Sequence, residues 1–300
     1  MSKKTEGQWL LVALAAPLVQ TSSNCSWLAV TVISGLCMGI IWGMEKLEIG
    51  AGEGRILTAL QWLWMLLIVS EFLHWTMFYW PGYKSYHAVP LIILTLAVYG
   101  VSKGETAVRN ISGILLPLLA VVFGGVMFSG IKEIKRENLS LQWEIQTAFP
   151  VVVMLIPAIR VGEERTPKIR IILSALVTAL ITNGVLSMGE IERTVAPVYE
   201  MSRSVSLLGV GQRYESLIAA GMTAGYFMLM TWLVDAMANQ WGNGKRQKGS
   251  TWVSGFFAGL VFISGMRMNS RLLALGTLVL WVVFPVLEKT LKKMKLPLDK

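Results

Sequence analysis

The chain has 300 residues, of which 54% are hydrophobic and only 15% are charged, and its mean hydropathy is +0.58. Soluble domains carry roughly 25% charged residues, so the composition excludes an ordinary soluble domain and predicts a membrane protein. The net charge of +9 argues little for nucleic acid as a partner, because the basic residues stand at the ends of apolar runs and not along one soluble face.

Long apolar runs follow one another along the whole sequence. A membrane-spanning helix needs about 20 mostly apolar residues, and lipid-exposed backbone must satisfy its own hydrogen bonds. The predicted fold is therefore all-α and polytopic, a single transmembrane domain over 1–300 with about ten spans. The predicted spans are roughly 8–24, 26–44, 56–80, 86–101, 111–131, 146–160, 168–188, 213–238, 251–266 and 270–288.

The first apolar run follows Lys3 and Lys4, as the apolar core of a signal peptide would. A second run, 26–44, begins almost at once. We therefore interpret the first run as a span that is retained in the mature protein.

Lysine and arginine residues set the predicted orientation. With the N-terminus inside, the inside segments hold about twice as many basic residues as the outside segments. Both termini are therefore predicted to be cytoplasmic. The basic cluster after the last span predicts a membrane anchor that contacts anionic lipid; its members are Lys289, Lys292, Lys293 and Lys295.

Two predicted spans contain helix-breaking residues. Pro17 lies inside the first, and Pro150 and Pro157 flank the apolar part of the sixth. Interrupted helices at matching positions of two halves indicate a transporter-type binding site, whereas membrane helices also tolerate ordinary proline kinks. Both interpretations remain open on these residues alone.

The segment 191–209 differs from the spans around it. Apolar residues recur every three or four positions among charged ones, with Val195, Val198 and Met201 on one face. This pattern predicts an amphipathic helix that lies in the outer membrane interface.

Several short motifs resemble the spore germination permease family, the membrane-embedded B subunits of germinant receptors, in the amino acid–polyamine–organocation (APC) superfamily. The clearest covers 197–216, PVYEMSRSVSLLGVGQRYES, and a second is GETAVR at 104–109. The opening Gln8-Trp9 and the later Ser26-Trp27 form a third match, and 138–142 lies where the family has a polar segment. The family-motif residues, to which we assign structural roles, are Gly104, Glu105, Arg109, Pro197, Arg203, Arg213 and Glu215.

The resemblance implies a LeuT-like bundle in which spans 1–5 and 6–10 form inverted repeats. It also implies a subunit that binds a small-molecule germinant, an amino acid, in the spore inner membrane. Its partners would be an A-type membrane subunit and a C-type lipoprotein subunit. An APC-type amino acid transporter and a non-binding membrane scaffold are the alternatives. The chain departs from the family in its shorter length and in its first span, where Ala15, Ala16 and Pro17 stand at the usual glycine-containing break.

Glu71 and His74 lie three residues apart in the third predicted span and therefore share one helix face. An acid at the membrane centre costs about 2.5–3.5 kcal/mol on insertion scales. The pair predicts either a polar group facing a central cavity or an interfacial pair near the outer surface. Asp235, near the end of the eighth predicted span, is expected to be solvated.

We predict that a ligand binds at mid-membrane between spans one and six, facing spans three and eight, where broken helices would free backbone groups. Apolar side chains near the breaks suit a small apolar ligand. The candidate ligand-binding residues are Pro17, Gln20, Thr21, Ser22, Glu71, His74, Thr147, Phe149 and Met154.

The sequence offers little for catalysis, so we predict that the chain is not an enzyme and holds no cofactor or metal. His74 and His87 are its two histidines, and neither stands at a metal-ligand or acyltransferase spacing. Cys25 and Cys37 lack a CxxC spacing and are predicted to be thiols in apolar surroundings.

Overall fold

The computed structural model describes residues 27–49, 54–76, 87–139, 156, 168–193, 200–201, 204, 215–241 and 248–295. Within these ranges the chain consists of helices and short turns, without a strand. The helices are α1 (Trp27–Lys46), α2 (Arg55–Thr76), α3 (Ala88–Ser102), α4 (Glu105–Ile131), α5 (Lys168–Val185), α6 (Met188–Arg193), α7 (Glu215–Trp241), α8 (Lys248–Ile263), α9 (Ser270–Leu278) and α10 (Phe284–Lys295). A 3-10 turn covers Arg136–Asn138, and a π-helical segment, Val279–Val283, joins α9 to α10.

Helix is the form that apolar segments take in lipid, because it pairs backbone groups within the segment. Within the described part of the chain, three helical segments are long and apolar enough to cross a membrane: Arg55–His74, Gly113–Ile131 and Arg271–Lys292. Shorter apolar helices cover Ala88–Ser102 and Gly249–Ile263. The all-helical class is thus confirmed, and the apolar helices are consistent with an integral membrane protein.

Helix α7 lies at the centre of the bundle. It packs against α2, α3, α4 and α8, and its residues from Met228 to Met230 and from Leu233 to Val234 are buried. Helix α1 packs on α5, which in turn contacts α4, while α9 packs on α2. Both helices therefore bury polar side chains, among them Gln61, Ser70 and His74 on α2 and Thr231 on α7.

Two glycines allow close helix contacts. A Cβ atom at Gly255 of α8 would lie 2.2 Å from Cγ2 of Val98 on α3, and one at Gly276 of α9 would lie 2.0 Å from the Trp64 ring on α2. No side chain fits at these distances. Small residues of this kind let membrane helices approach closely and gain van der Waals contact.

The basic cluster at the end of the chain makes contacts within the protein. The Nζ atom of Lys289 donates to the backbone carbonyls of Leu47 and Glu48 just after α1, at 2.9 Å for Glu48. Lys292 lies 3.2 Å from the carboxylate of Glu288, one helical turn earlier. Lys289 therefore ties α10 to the end of α1.

Helix α6 begins with a capping box. The backbone N–H and hydroxyl of Ser187 donate to Oε2 of Glu190 at 2.7 and 2.8 Å. These bonds stabilise the carboxylate and hold the pKa of Glu190 below its usual value. The reciprocal arrangement is typical of a helix N-terminus.

Eight predicted spans overlap the described helices, and the other two, 8–24 and 146–160, lie outside the described residues apart from Ile156. In the predicted interfacial segment 191–209, the structure describes the end of α6 and residues 200, 201 and 204. Ile191 and Met201 are both fully buried there.

The contact between Gly276 and Trp64 can be tested with Gly276→Ala. The added methyl group must displace the Trp64 ring, and overpacking of this kind costs about 1–3 kcal/mol. Gly124→Ala is the matched control, because a Cβ there meets nothing within 4 Å and gains the same helix propensity. We expect denaturant unfolding in detergent to show loss of stability for Gly276→Ala only. Equal stability of the two variants would contradict the close contact.

Candidate functional site

Helix α2 carries several of the polar residues of the bundle interior. His74 is 4% exposed, and its Nδ1 lies 2.8 Å from the carbonyl oxygen of Ser70. Its ring meets that of Phe262 on α8 edge-on, with centroids 4.7 Å apart. Glu71 is half-buried on the same helix. The structure thus places His74 between α2 and α8, and Glu71 in the same turn of α2.

Ser70 adds a further polar group at this level. Its side-chain oxygen is buried and has no hydrogen-bond partner within the described part of the chain. A buried hydroxyl is normally satisfied by protein or ordered water. An unsatisfied one next to a half-buried acid provides a polar position where a ligand or water can bind.

The second histidine approaches the same aromatic ring. His87, exposed and directly before α3, lies edge-on to Phe262 with ring centroids 5.3 Å apart. Arg267 is close enough to interact electrostatically with His74. We call this end of the bundle the His74 end. The sequence analysis missed this convergence, because no pattern relates His87 to a phenylalanine on α8.

An amide network lies at the opposite end, which we call the Gln61 end. The amide of Gln61 on α2 donates to the carbonyl of Leu280 in the π-helical segment at 2.8 Å, and Gln240 of α7 donates to the Gln61 carbonyl. Gln61 therefore connects α2 both to α7 and to the helix segment after α9.

Two tryptophans extend these links. Trp62 Nε1 donates to Ser254 of α8 at 2.9 Å, and Trp64 Nε1 donates to the carbonyl of Leu273 on α9 at 3.1 Å. Helix α2 is thus hydrogen-bonded near its start to four neighbouring elements, α7, α8, α9 and the π-helical segment.

Asp235 on α7 corrects one expectation from the sequence. Its Oδ1 atom is shielded from solvent and the residue is only partly exposed, so the carboxyl is not a solvated surface group. The reason is that α7 is enclosed by four helices. The signal was present in the sequence, since Asp235 lies within the apolar run 213–238. Ionisable residues inside membrane segments mark functional positions by default.

Most other predicted ligand residues lie outside the described residues; they are Pro17, Gln20, Thr21, Ser22, Thr147, Phe149 and Met154, and the same holds for Pro197, Arg203 and Arg213. Of the predicted ligand residues the structure thus describes Glu71 and His74 on α2, and the His74 ring contacts Phe262 of α8.

The GETAVR motif forms the start of α4. Gly104 is the N-cap residue and has φ +97°, a conformation that favours glycine, and Glu105 and Arg109 follow in the first turns. The motif thus lies at the junction of α3 and α4. Glu215 is the first residue of α7.

The described residues contain no group of three or more His, Cys, Asp or Glu side chains placed to hold a metal ion. The side chains of α2 and α7 provide hydrogen-bonding groups and negative charge. Carboxylates on α2 and α7 can pair with a cationic group, and the Ser70 hydroxyl can donate or accept a hydrogen bond.

Neither the models of known protein families nor the curated proteins give a match to this chain.

The amide network predicts a measurable coupling between α2 and α7. Gln61→Leu leaves the Leu280 carbonyl and the Gln240 amide without their partner, which should cost about 1–2 kcal/mol. Gln240→Leu should cost less, since the bond to Leu280 survives.

A double-mutant cycle measured by unfolding in detergent tests this. We expect the double variant to lose less stability than the two single variants together, by about 0.6 kcal/mol. Strict additivity of the two substitutions would contradict a direct Gln61–Gln240 bond.

Proposed function

We propose that this chain is the membrane-embedded subunit of a spore germinant receptor, which binds an amino acid inside the helical bundle and triggers germination. The observation that carries the proposal is the presence of carboxylates, Glu71 and Asp235, on the two central helices α2 and α7. These helices correspond to the third and eighth predicted spans, which were expected to face the ligand.

The interior chemistry supports an amino acid as ligand. A carboxylate can form a charge-assisted hydrogen bond with the ammonium group of an amino acid, and α2 and α7 each carry one, Glu71 and Asp235. The buried hydroxyl of Ser70, one residue before Glu71 in the sequence, is a further hydrogen-bonding group of α2. Phe72 and Leu73 on the same helix are buried and make the interior around α2 largely apolar.

The finer parts of the proposal come from the resemblance and from charge patterning. They are a LeuT-like five-plus-five repeat of about ten spans, cytoplasmic termini and a place in the spore inner membrane. An A-type membrane subunit and a C-type lipoprotein subunit would transmit the signal. In such a repeat, backbone groups freed near Pro17, Pro150 and Pro157 would hold the charged ends of the ligand.

Glu71→Gln tests the site while keeping the size of the side chain. Loss of one charge-assisted contact should raise the amino acid concentration needed for half-maximal germination about tenfold or more. The measurement is a dose–response curve of spores that carry the variant as their copy of this gene, with protein level checked by immunoblot. Leu63→Ala is the control, because Leu63 is an exposed apolar residue of the same helix.

An unchanged dose–response curve for well-expressed Glu71→Gln would remove Glu71 from the site. A second measurement separates sensing from transport. The purified chain, reconstituted alone in vesicles, should not accumulate a labelled amino acid. Uptake that Glu71→Gln abolishes would instead make the chain an APC-type transporter.

A further inference from the structure

A groove runs between α3 and α8 on the outer surface of the bundle. It encloses about 250 Å³, and its walls include Leu91 and Thr95 on α3 and Trp252, Phe256 and Ile263 on α8. Thr95 is polar, but its hydroxyl donates to the carbonyl of Leu91 at 2.7 Å. The lining therefore presents an apolar surface, and an apolar occupant fits it.

The length of the groove matches one leaflet of a membrane. From Trp252 to Ile263 its α8 wall rises over eleven residues, about 16 Å. This is about half of the roughly 30 Å hydrocarbon core.

Two glycines of α8 already form a contact with α3 of the same chain. Gly255 and Gly259 have the spacing that often joins membrane helices. A Cβ at Gly255 would overlap Val98, and one at Gly259 would lie 3.6 Å from Leu94. Both glycines thus face α3, and the motif is not free to receive a helix from another subunit.

Positive charge stands at the Gln61 end of the groove. Lys103 is the C-cap residue directly after α3, and its exposed side chain places Nζ 5.0 Å from the centre of the Tyr99 ring. Neither α3 nor α8 contains an acidic residue. Half-exposed Trp252 lies at the same end, and tryptophan favours the membrane–water interface.

We propose that the groove between α3 and α8 binds one acyl chain of an anionic phospholipid, whose phosphate pairs with Lys103. The acyl chain fills the apolar groove along one leaflet, and the head group lies at the Gln61 end. Because α3 and α8 both pack on α7, this lipid contacts two of the helices that enclose the central helix. The site is separate from the basic cluster after the last span.

Native mass spectrometry of the full chain in detergent tests the groove, with phosphatidylglycerol and phosphatidylcholine of equal chain length as probes. We expect one tightly retained phosphatidylglycerol, bound about tenfold more tightly than phosphatidylcholine. Thr95→Trp fills the groove and should lower phosphatidylglycerol binding about tenfold or more. Val121→Trp, on an exposed part of α4, should leave binding unchanged.

The head-group contact is tested separately. Lys103→Gln should remove the preference for phosphatidylglycerol. Lys46→Gln is the matched control, since Lys46 also ends a helix and lies 5.4 Å from an aromatic ring, that of Trp42. If both variants lose the preference for phosphatidylglycerol equally, the attraction is non-specific, and the role of Lys103 is overturned.

Two further results would overturn the proposal. One is phosphatidylglycerol binding by folded Thr95→Trp at the level of the unsubstituted chain, with folding checked by thermal unfolding. The other comes from a photoreactive benzoylphenylalanine in place of Phe256 in cell membranes. A lipid adduct is expected, whereas an adduct with another polypeptide would mean that a partner helix occupies the groove.

Discussion

The hydrocarbon core contains no water, so each polar group inside it must find a partner within the protein or bind a ligand. Gln61 shows how the chain meets this constraint. Its amide satisfies the carbonyl of Leu280, where a π-helical segment alters the usual backbone pairing, and its own carbonyl accepts from Gln240. Trp62 and Trp64 make the same kind of link to α8 and α9. Helix α2 is held in place by these bonds.

Close packing of the helices stabilises the bundle in addition to these hydrogen bonds. Helices in lipid gain little from hydrophobic burial, so van der Waals contact between close backbones carries more of their association. Gly255 and Gly276 let α8 approach α3 and α9 approach α2. These contacts surround α7 and α2 and create an interior that holds polar side chains such as Ser70, His74 and Thr231.

The sequence predicted the helices well, because a long apolar run in a chain with few charges has one main structural solution. It could not predict which side chains meet. His74 and His87 approach the same ring, that of Phe262, only because α2, α3 and α8 pack side by side.

Asp235 was assigned to solvent because it lies near the end of a predicted span, and the position of α7 among four helices reverses that assignment. The partners of Gln61 and the π-helical segment also depend on tertiary packing that has no local signature. In contrast, the turn at Gly104 has a local signature, because the GETAVR motif begins with glycine and a positive φ favours glycine.

The central claim is that Glu71 faces a ligand-accessible interior of a membrane bundle. Substituted-cysteine labelling tests it most directly, with Glu71→Cys and Leu63→Cys each placed in a chain whose Cys25 and Cys37 are replaced by serine. A membrane-impermeant, water-soluble thiol reagent should label position 71 in membrane vesicles. Position 63, exposed to lipid, should not react. Labelling at 63 but not at 71 would contradict the account.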